Sequence, residues 1–427
     1  MKSIWKFLYN ILIIPPLYIF LRIGSIFDRK IRTGVRGRKR IFEELILNAA
    51  RLDKSKKLIW FHSSSLGEFE QAKPIIEELK KDPGINILIT FFSPSGYENS
   101  RRYPYADLVS YLPFDSGAYA ERFISITRPS LAILMRYDIW PNHIWSMKRL
   151  NIPSFLVDAT MKKNSPRKLP LIKNFHKILF KDITRILTVS EEDVEGVKDF
   201  KLDNKKLTAV GDTRFDRVYE KSLAAKEKNI IREDLLQGKK VLVAGSTWDS
   251  DENVILPAFI KLTKYDKNAI MLLIPHEPTI ENLERIEVEL SGAISSIRFS
   301  HLKSYNNEKI IIIDSIGILL TLYAYGDLAF VGGSFKQNIH NVLEAAVYGI
   351  PVLFGPKIEI SQESNELLRR GGGILIKNQR DAYRQLRTFF MDKNLRKEKG
   401  KIAADYVKEN LGATKKILKE IYEVIKG

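Results

Sequence analysis

A chain of 427 residues is too long for one compact core, and its 44% apolar content, regularly punctuated by Gly and Pro, fits two folded domains rather than long disordered stretches. The absence of cysteine excludes disulfide staples, thiolate nucleophiles and cysteine-ligated zinc. The formal charge of +18 calls for an anionic partner, and nucleic acid, anionic lipid and phosphorylated substrates all qualify on charge alone.

In chain order, the first element is a nearly unbroken apolar run at 4–27, IWKFLYNILIIPPLYIFLRIGSIF, followed directly by the basic stretch DRKIRTGVRGRKR. That order reads as membrane contact on the cytoplasmic side, whereas a signal peptide would place basic residues first and a small-residue cleavage site after the apolar run. Pro15 and Pro16 weaken a straight spanning helix, since proline lacks a backbone donor and disfavours helical geometry in the residue before it. The expectation for 1–30 is therefore an anchor dipped into one leaflet, with Trp5, Tyr9 and Tyr18 near the headgroups. The alternative is an N-terminal helix pair packed on the protein's own surface.

Short runs rich in Ile, Leu and Val then alternate with amphipathic segments. KLIWFH near 60, INILITF near 88, LAILM near 133, SFLVDA near 156 and RILTVS near 187 have the continuous apolar character of buried parallel strands. The alternation breaks over 218–240, which is charged and helix-favouring, and a second set follows: KVLVAG, AIMLLI, KIIIID, LAFVGG, PVLFG and GILI. This predicts an α/β protein of two Rossmann-like, doubly wound lobes, 31–217 and 218–427, facing a central cleft, with the last helix able to pack back on the first lobe.

In such folds chemistry sits where strands hand over to helices. In HSSSLGEFE, Ser65 and Gly67 allow a tight turn and Glu68 opens the next helix, either as a cap favoured by the helix dipole or as a general base. In AGSTWDSDE, Ser246 and Thr247 are either plain caps or hydroxyls for a phosphate. In IPHEP, Pro275 and His276 form a rigid turn able to meet a base. The stretch FVGGSFKQNIHNVLEAAVYGIPVLFGP is the most specific. Gly332 and Gly333 let the backbone approach a ligand, His340 and Asn341 stand near a helix start, and Glu344 can accept from ribose hydroxyls, which points to a nucleotide-sugar site. In GDTRFDRV, Arg214 and Arg217 either bind anions or pair with Asp212 and Asp216. No stretch matches the dinucleotide fingerprint or the phosphate-binding loop of NTPases.

Together, WFHSSSLGEFEQAKPIIEEL, ILMRYDIWPN, AGSTWDSDE, GDTRFD and FVGGSF…IHNVLEAAVYGIPVLFGP resemble, in order, the 3-deoxy-D-manno-octulosonic acid (Kdo) transferases of lipopolysaccharide assembly. The resemblance implies a GT-B glycosyltransferase with an N-terminal membrane-associated segment at the cytoplasmic face of the inner membrane. It would transfer Kdo from CMP-Kdo, with inversion, to a lipid A precursor, using no cofactor and no metal. It makes Glu68 the general base, and it places Ser246, Thr247, Pro275, His276, Gly332, Gly333, Ser334, Asn341 and Glu344 on the CMP-Kdo side. Many members carry Arg where His276 stands, and Asp138 falls at a position often occupied by Glu. Ser65, Gly67, Asp138, Lys162, Lys163, Arg167 and Arg214 fall on the acceptor side or in the cleft, and Asp158 precedes the basic loop that would meet acceptor phosphates. The alternatives are another membrane-associated GT-B enzyme using a UDP-sugar, or a basic nucleic-acid-binding protein. The latter is disfavoured, because no binding module and no interleaved aromatic and basic surface is evident.

Overall fold

The computed structural model describes residues 2–426. The chain forms two compact units, one running to Arg217 and reclaiming the segment from Leu411, the other Val218–Asn410. Among the described residues each unit holds one seven-stranded, fully parallel sheet.

In the first unit the strands are β1 (Lys57–Ser63), β2 (Ile85–Phe91), β3 (Leu108–Tyr111), β4 (Leu131–Met135), β5 (Ser154–Ala159), β6 (Arg185–Thr188) and β7 (Leu207–Ala209), in the order β3-β2-β1-β4-β5-β6-β7. Parallel pairing needs crossover helices, which cover both faces, so the central strands are apolar on both sides. On β1, Trp60 packs with Leu45, Phe123, Ile144 and Phe180, while Ile59 and Phe61 point the other way onto Phe69, Ile75, Ile417 and Ile421. The last two belong to the C-terminal helix Ala413–Lys426, which Asp216 caps by accepting from Gly412 N and Thr414 N, both at 2.7 Å.

The second unit repeats the scheme with β8 (Lys240–Thr247), β9 (Ala269–Pro275), β10 (Ser296–Arg298), β11 (Ile310–Ile312), β12 (Leu328–Val331), β13 (Val352–Phe354) and β14 (Gly373–Leu375), in the order β10-β11-β9-β8-β12-β13-β14. The sequence pattern does not reveal β3, β7 and β10. All three lie at sheet edges, where one side is uncovered and a continuous apolar run is not needed.

The N-terminal segment is helical throughout despite its prolines. Helix Lys2–Leu8 passes through one wide π turn, Tyr9–Ile13, into helix Ile14–Phe27. Pro15 and Pro16 sit in the first turn after it, where missing N–H groups cost least. Asp28 then accepts from Ile31 N at 2.7 Å and starts the basic helix Arg29–Gly37.

One expectation for this segment is corrected. Tyr9 is not a headgroup residue: it is buried, its hydroxyl donates to Asp115 Oδ2 at 2.8 Å, and its ring lies on Trp145 and Phe175. Asp115 also accepts from Asn142 N, His143 N and His143 Nδ1, so one buried carboxylate ties the segment to the sheet. Trp5 leans on Phe175 and Tyr18 on Phe114, while Phe7, Leu12, Phe20, Ile23 and Phe27 are exposed.

Tyr9→Phe removes a donor from this buried carboxylate at a cost of about 1.5–3 kcal/mol. Limited trypsin digestion in detergent should cut at Lys6 and Arg22 faster in the variant, with the rest of the first unit persisting. Equal rates would show that the bond does not hold the segment.

Candidate functional site

In each sheet two neighbouring strands begin connections that run in opposite directions across the sheet, β1 and β4 in the first and β8 and β12 in the second. At such a point neighbouring loops leave toward opposite faces and open a crevice at the carboxyl ends.

In the first unit, β1 runs into Ser64 and the N-cap Ser65 before helix Leu66–Leu79, so Glu68 falls in the helix's first turn. Its Oε2 accepts from Ser65 N at 3.1 Å and from the Ser65 hydroxyl. The cap therefore fixes a half-exposed carboxylate just past the strand end. Gly67 is exposed, and a Cβ there would meet only Ser65 Oγ at 3.8 Å, so packing does not demand glycine.

Asp138, in the loop after β4, lies beside this turn. His62 Nε2 is 2.6 Å from Asp138 Oδ2, and His62 Nδ1 is 2.8 Å from the Thr90 hydroxyl, which accepts from Trp60 Nε1 at 2.8 Å. Burial raises the Asp138 carboxyl, but His62, with hydrogen bonds from Ser64 and Trp140, more than offsets it and leaves the group below its ordinary range. Adjacent serines thus hold two carboxylates, Ser64 on Asp138 and Ser65 on Glu68.

Behind them is a cluster that the sequence reading resolved only in part. Arg136 (φ 60°) and Asp158 (φ 52°) take left-handed backbone that non-glycine residues seldom adopt, at the ends of β4 and β5. Asp158 is buried with its Oδ2 2.5 Å from the Thr213 hydroxyl, and burial, then Asp212, pushes its carboxyl up. Arg214 pairs with Asp212 at 2.5 Å, whereas Arg217 pairs with Glu77 and Glu70 rather than Asp216. The Gln71 amide is satisfied when its oxygen faces Arg136 Nη1 at 3.0 Å and Arg214 Nε at 3.2 Å. No sequence signal singles out Arg136, which follows an apolar run like many strand-terminal arginines. Of the expected basic loop, Lys162 and Lys163 are exposed, and Arg167 lies 4.8 Å above the Tyr137 ring.

In the second unit Ser246, with φ 53°, sits at an irregularity in the last residues of β8, and helix Asp249–Thr263 is N-capped by Trp248 rather than by either hydroxyl. Several expectations change here. Thr247 is buried and its hydroxyl donates to Glu252 at 2.8 Å, so it does not face a phosphate. Ser334 is likewise buried, its Oγ accepting from Gly355 N at 2.6 Å. Gly332 and Gly333 are small because protein backbone crowds them: a Cβ would fall 2.2 Å from Ser246 O at Gly332 and 2.2 Å from Asn338 O at Gly333, which also has φ 94°. The helix expected after them is one turn, Leu343–Ala346, in which Glu344 is the second residue, 3.3 Å from Asn341 Nδ2.

Pro275 ends β9, and His276 leaves it exposed and stacked on Trp248 (4.5 Å) and His340 (4.4 Å). Trp248 Nε1 donates to His340 Nε2 at 3.1 Å. Those two rings therefore lie edge to edge, and His276 covers both from one side with its other face open. Burial, then His276, lowers His340 to about 4.

Two outcomes follow. Gly332→Ala should cost about 1–3 kcal/mol in urea unfolding of the second unit, because backbone cannot yield as a side chain can; an unchanged midpoint would contradict the contact. For His340, the unfolded chain takes up a proton near the ordinary 6.5 that the folded protein refuses until about 4. Stability should therefore fall as pH drops through that window and level below it, and His340→Asn should flatten the dependence of melting temperature on pH.

Comparisons with known proteins bear on this geometry. The family model described as 3-Deoxy-D-manno-octulosonic-acid transferase (kdotransferase) matches residues 39–217. The chain is 32% identical over 340 residues to a 3-deoxy-D-manno-octulosonic acid transferase of Aquifex aeolicus, covering 78% of this chain and 86% of that one. A protein of the same description from Haemophilus influenzae is 27% identical over 431 residues, 97% of each chain. Among solved structures, the UDP-GlcNAc 2-epimerase of Neisseria meningitidis bound to UDP-GlcNAc aligns with a TM-score of 0.61 at 15% identity, over 86% of this chain and 100% of that one. At that identity the likeness is one of fold, two wound parallel-sheet units of the GT-B type.

Proposed function

This chain belongs to the family of 3-deoxy-D-manno-octulosonic acid transferases and is a Kdo glycosyltransferase; from that premise we propose that it moves Kdo from CMP-Kdo to a lipid A precursor at the cytoplasmic face of the inner membrane. The observation that carries the reading is Glu68, a carboxylate fixed at the strand-order reversal of the first unit, with both bonds from Ser65 on Oε2.

The chemistry follows from that geometry. Glu68 takes the proton of an acceptor hydroxyl through Oε1 while the hydroxyl oxygen attacks the anomeric carbon of Kdo. The carbon–oxygen bond to CMP breaks, CMP leaves as a phosphate monoester, and attack from the far side inverts the configuration. Asp138, held by His62 and Ser64, orients the acceptor sugar beside Glu68, and Arg167 with Lys162 and Lys163 meets its phosphates.

The donor belongs to the second unit. The open face of His276, braced by Trp248 and His340, suits stacking of the cytosine ring, a role the imidazole can fill where other members carry arginine. In this reading Asn341 and Glu344, 3.3 Å apart, bind ribose hydroxyls, and Ser246 supplies the hydroxyl toward the phosphate. The 26-residue apolar helix Lys2–Phe27, followed by a helix carrying Arg29, Lys30, Arg32 and Arg36, supports attachment to an anionic leaflet.

Glu68→Gln keeps the Ser65 bonds but removes the base. Transfer from CMP-Kdo, generated in the assay, to a tetra-acylated lipid A precursor in detergent should fall by about 10²–10⁴, with CMP affinity unchanged. Undiminished transfer by the variant would remove Glu68 from the mechanism, and wild-type product with a UDP-sugar in place of CMP-Kdo would overturn the donor.

A further inference from the structure

Helix Ile14–Phe27 does not lie flush on the first unit. Between them is a crevice of about 370 Å³, with Ile14, Leu17 and Leu21 on one wall and Phe114, Tyr119 and Trp140 on the other. The three helix residues fall at i, i+3 and i+7, a single face. The opposite face, with Ile19, Phe20, Ile23 and Ile26, is exposed, so apart from Arg22 and Ser25 the helix is apolar on its outer side as well, the pattern of a helix at lipid depth.

Asp115, the charged group that lines this crevice, is already committed. The Asp115 carboxylate carries four hydrogen bonds, from Tyr9, Asn142 N, His143 N and His143 Nδ1, and Ser116 Oγ accepts from Tyr119 N at 3.2 Å. A polar ligand would find little to bond here, and hydrocarbon would lose nothing by entering.

Trp140 also walls a second pocket, of about 260 Å³, which holds Asp138, Tyr137, Arg167 and His176. One indole thus separates an apolar crevice from a second pocket where the Arg167 guanidinium stands with the Asp138 carboxylate after β4. That pairing matches an amphiphile with an anionic headgroup and a long chain.

Resting on the function proposed above, we infer that the crevice is an acyl-chain subsite: one fatty acyl chain of the lipid acceptor leaves the bilayer past helix Ile14–Phe27 and lies against Trp140, setting its phosphorylated sugar beside Asp138 and Glu68. The helix is then part of the acceptor site as well as an attachment to the membrane. Trp140 fixes the distance between chain and headgroup.

The test is photo-crosslinking of the full chain in detergent micelles. The probe is a tetra-acylated, diphosphorylated glucosamine disaccharide with a diazirine near the end of one chain, run beside a diacyl phospholipid bearing the same group. Peptide mapping should place the acceptor probe on Leu17, Phe114 and Tyr119 and the phospholipid on Phe20 and Ile23. Leu17→Trp, which fills the crevice, should cut the crevice label about tenfold while leaving transfer to a deacylated, water-soluble acceptor unchanged. Acceptor label confined to the outer helix face, or phospholipid label in the crevice at equal yield, would overturn the subsite. The readout does not depend on turnover: crevice labelling without Kdo transfer would sink the proposed donor chemistry and leave the subsite standing, and transfer without crevice labelling would do the reverse.

Discussion

The structure depends first on parallel strand pairing. Each parallel neighbour must be reached by a crossover, crossovers are right-handed, and helices therefore cover both faces of each sheet. Where the order reverses, one loop must leave upward and the other downward. In the first unit, helix Leu66–Leu79 after β1 packs on the face holding Phe61, and helix Pro141–Arg149 after β4 packs on the face holding Trp60. Glu68 and Asp138 diverge from neighbouring strand ends for that reason, and the space between them follows from topology. The second unit obeys the same rule with β8 and β12, whose carboxyl ends carry Ser246 and Gly332.

Holding polar groups at those ends costs folding energy. Arg136, Asp158 and Ser246 all stand in left-handed backbone at strand termini, at about 1–3 kcal/mol each. Asp158 is buried beside Asp212, which pushes its proton affinity up. The surroundings that sustain this are rigid: the chain from Trp60 through Thr90 and His62 to Asp138, and the tight seam between Gly332 and Ser246. Local strain offset by a well-packed sheet is the expected arrangement for a preorganised site.

Much of this was legible in the sequence, and the reasons differ by element. Central strands announce themselves because burial on both faces forces continuous Ile, Leu and Val, whereas β7 and β10, half-covered at the edges, do not. The motifs that resemble the Kdo transferases fall at strand ends beside the topological reversals, since residues there lie in recognisable Ser- and Gly-rich turns. What the sequence could not supply was direction. Thr247 and Ser334 carry the right hydroxyls but turn inward to Glu252 and Gly355, a choice set by packing rather than by residue type. Tyr9 looked interfacial because its apolar neighbours are; its partner Asp115 is more than a hundred residues away, and no local pattern joins them. The paired prolines looked like a break because a single wide turn, Tyr9–Ile13, is invisible to helical periodicity.

The central claim is a division of labour, with the nucleotide on the strand ends of the second unit and the base on those of the first. Hydrogen–deuterium exchange of the full chain in detergent, with and without saturating CMP, tests it most directly. The account predicts protection in the turns at 246–248, 276–277 and 332–344, with 64–68 and 136–140 unchanged. Protection centred on 64–68, with the second unit silent, would contradict it.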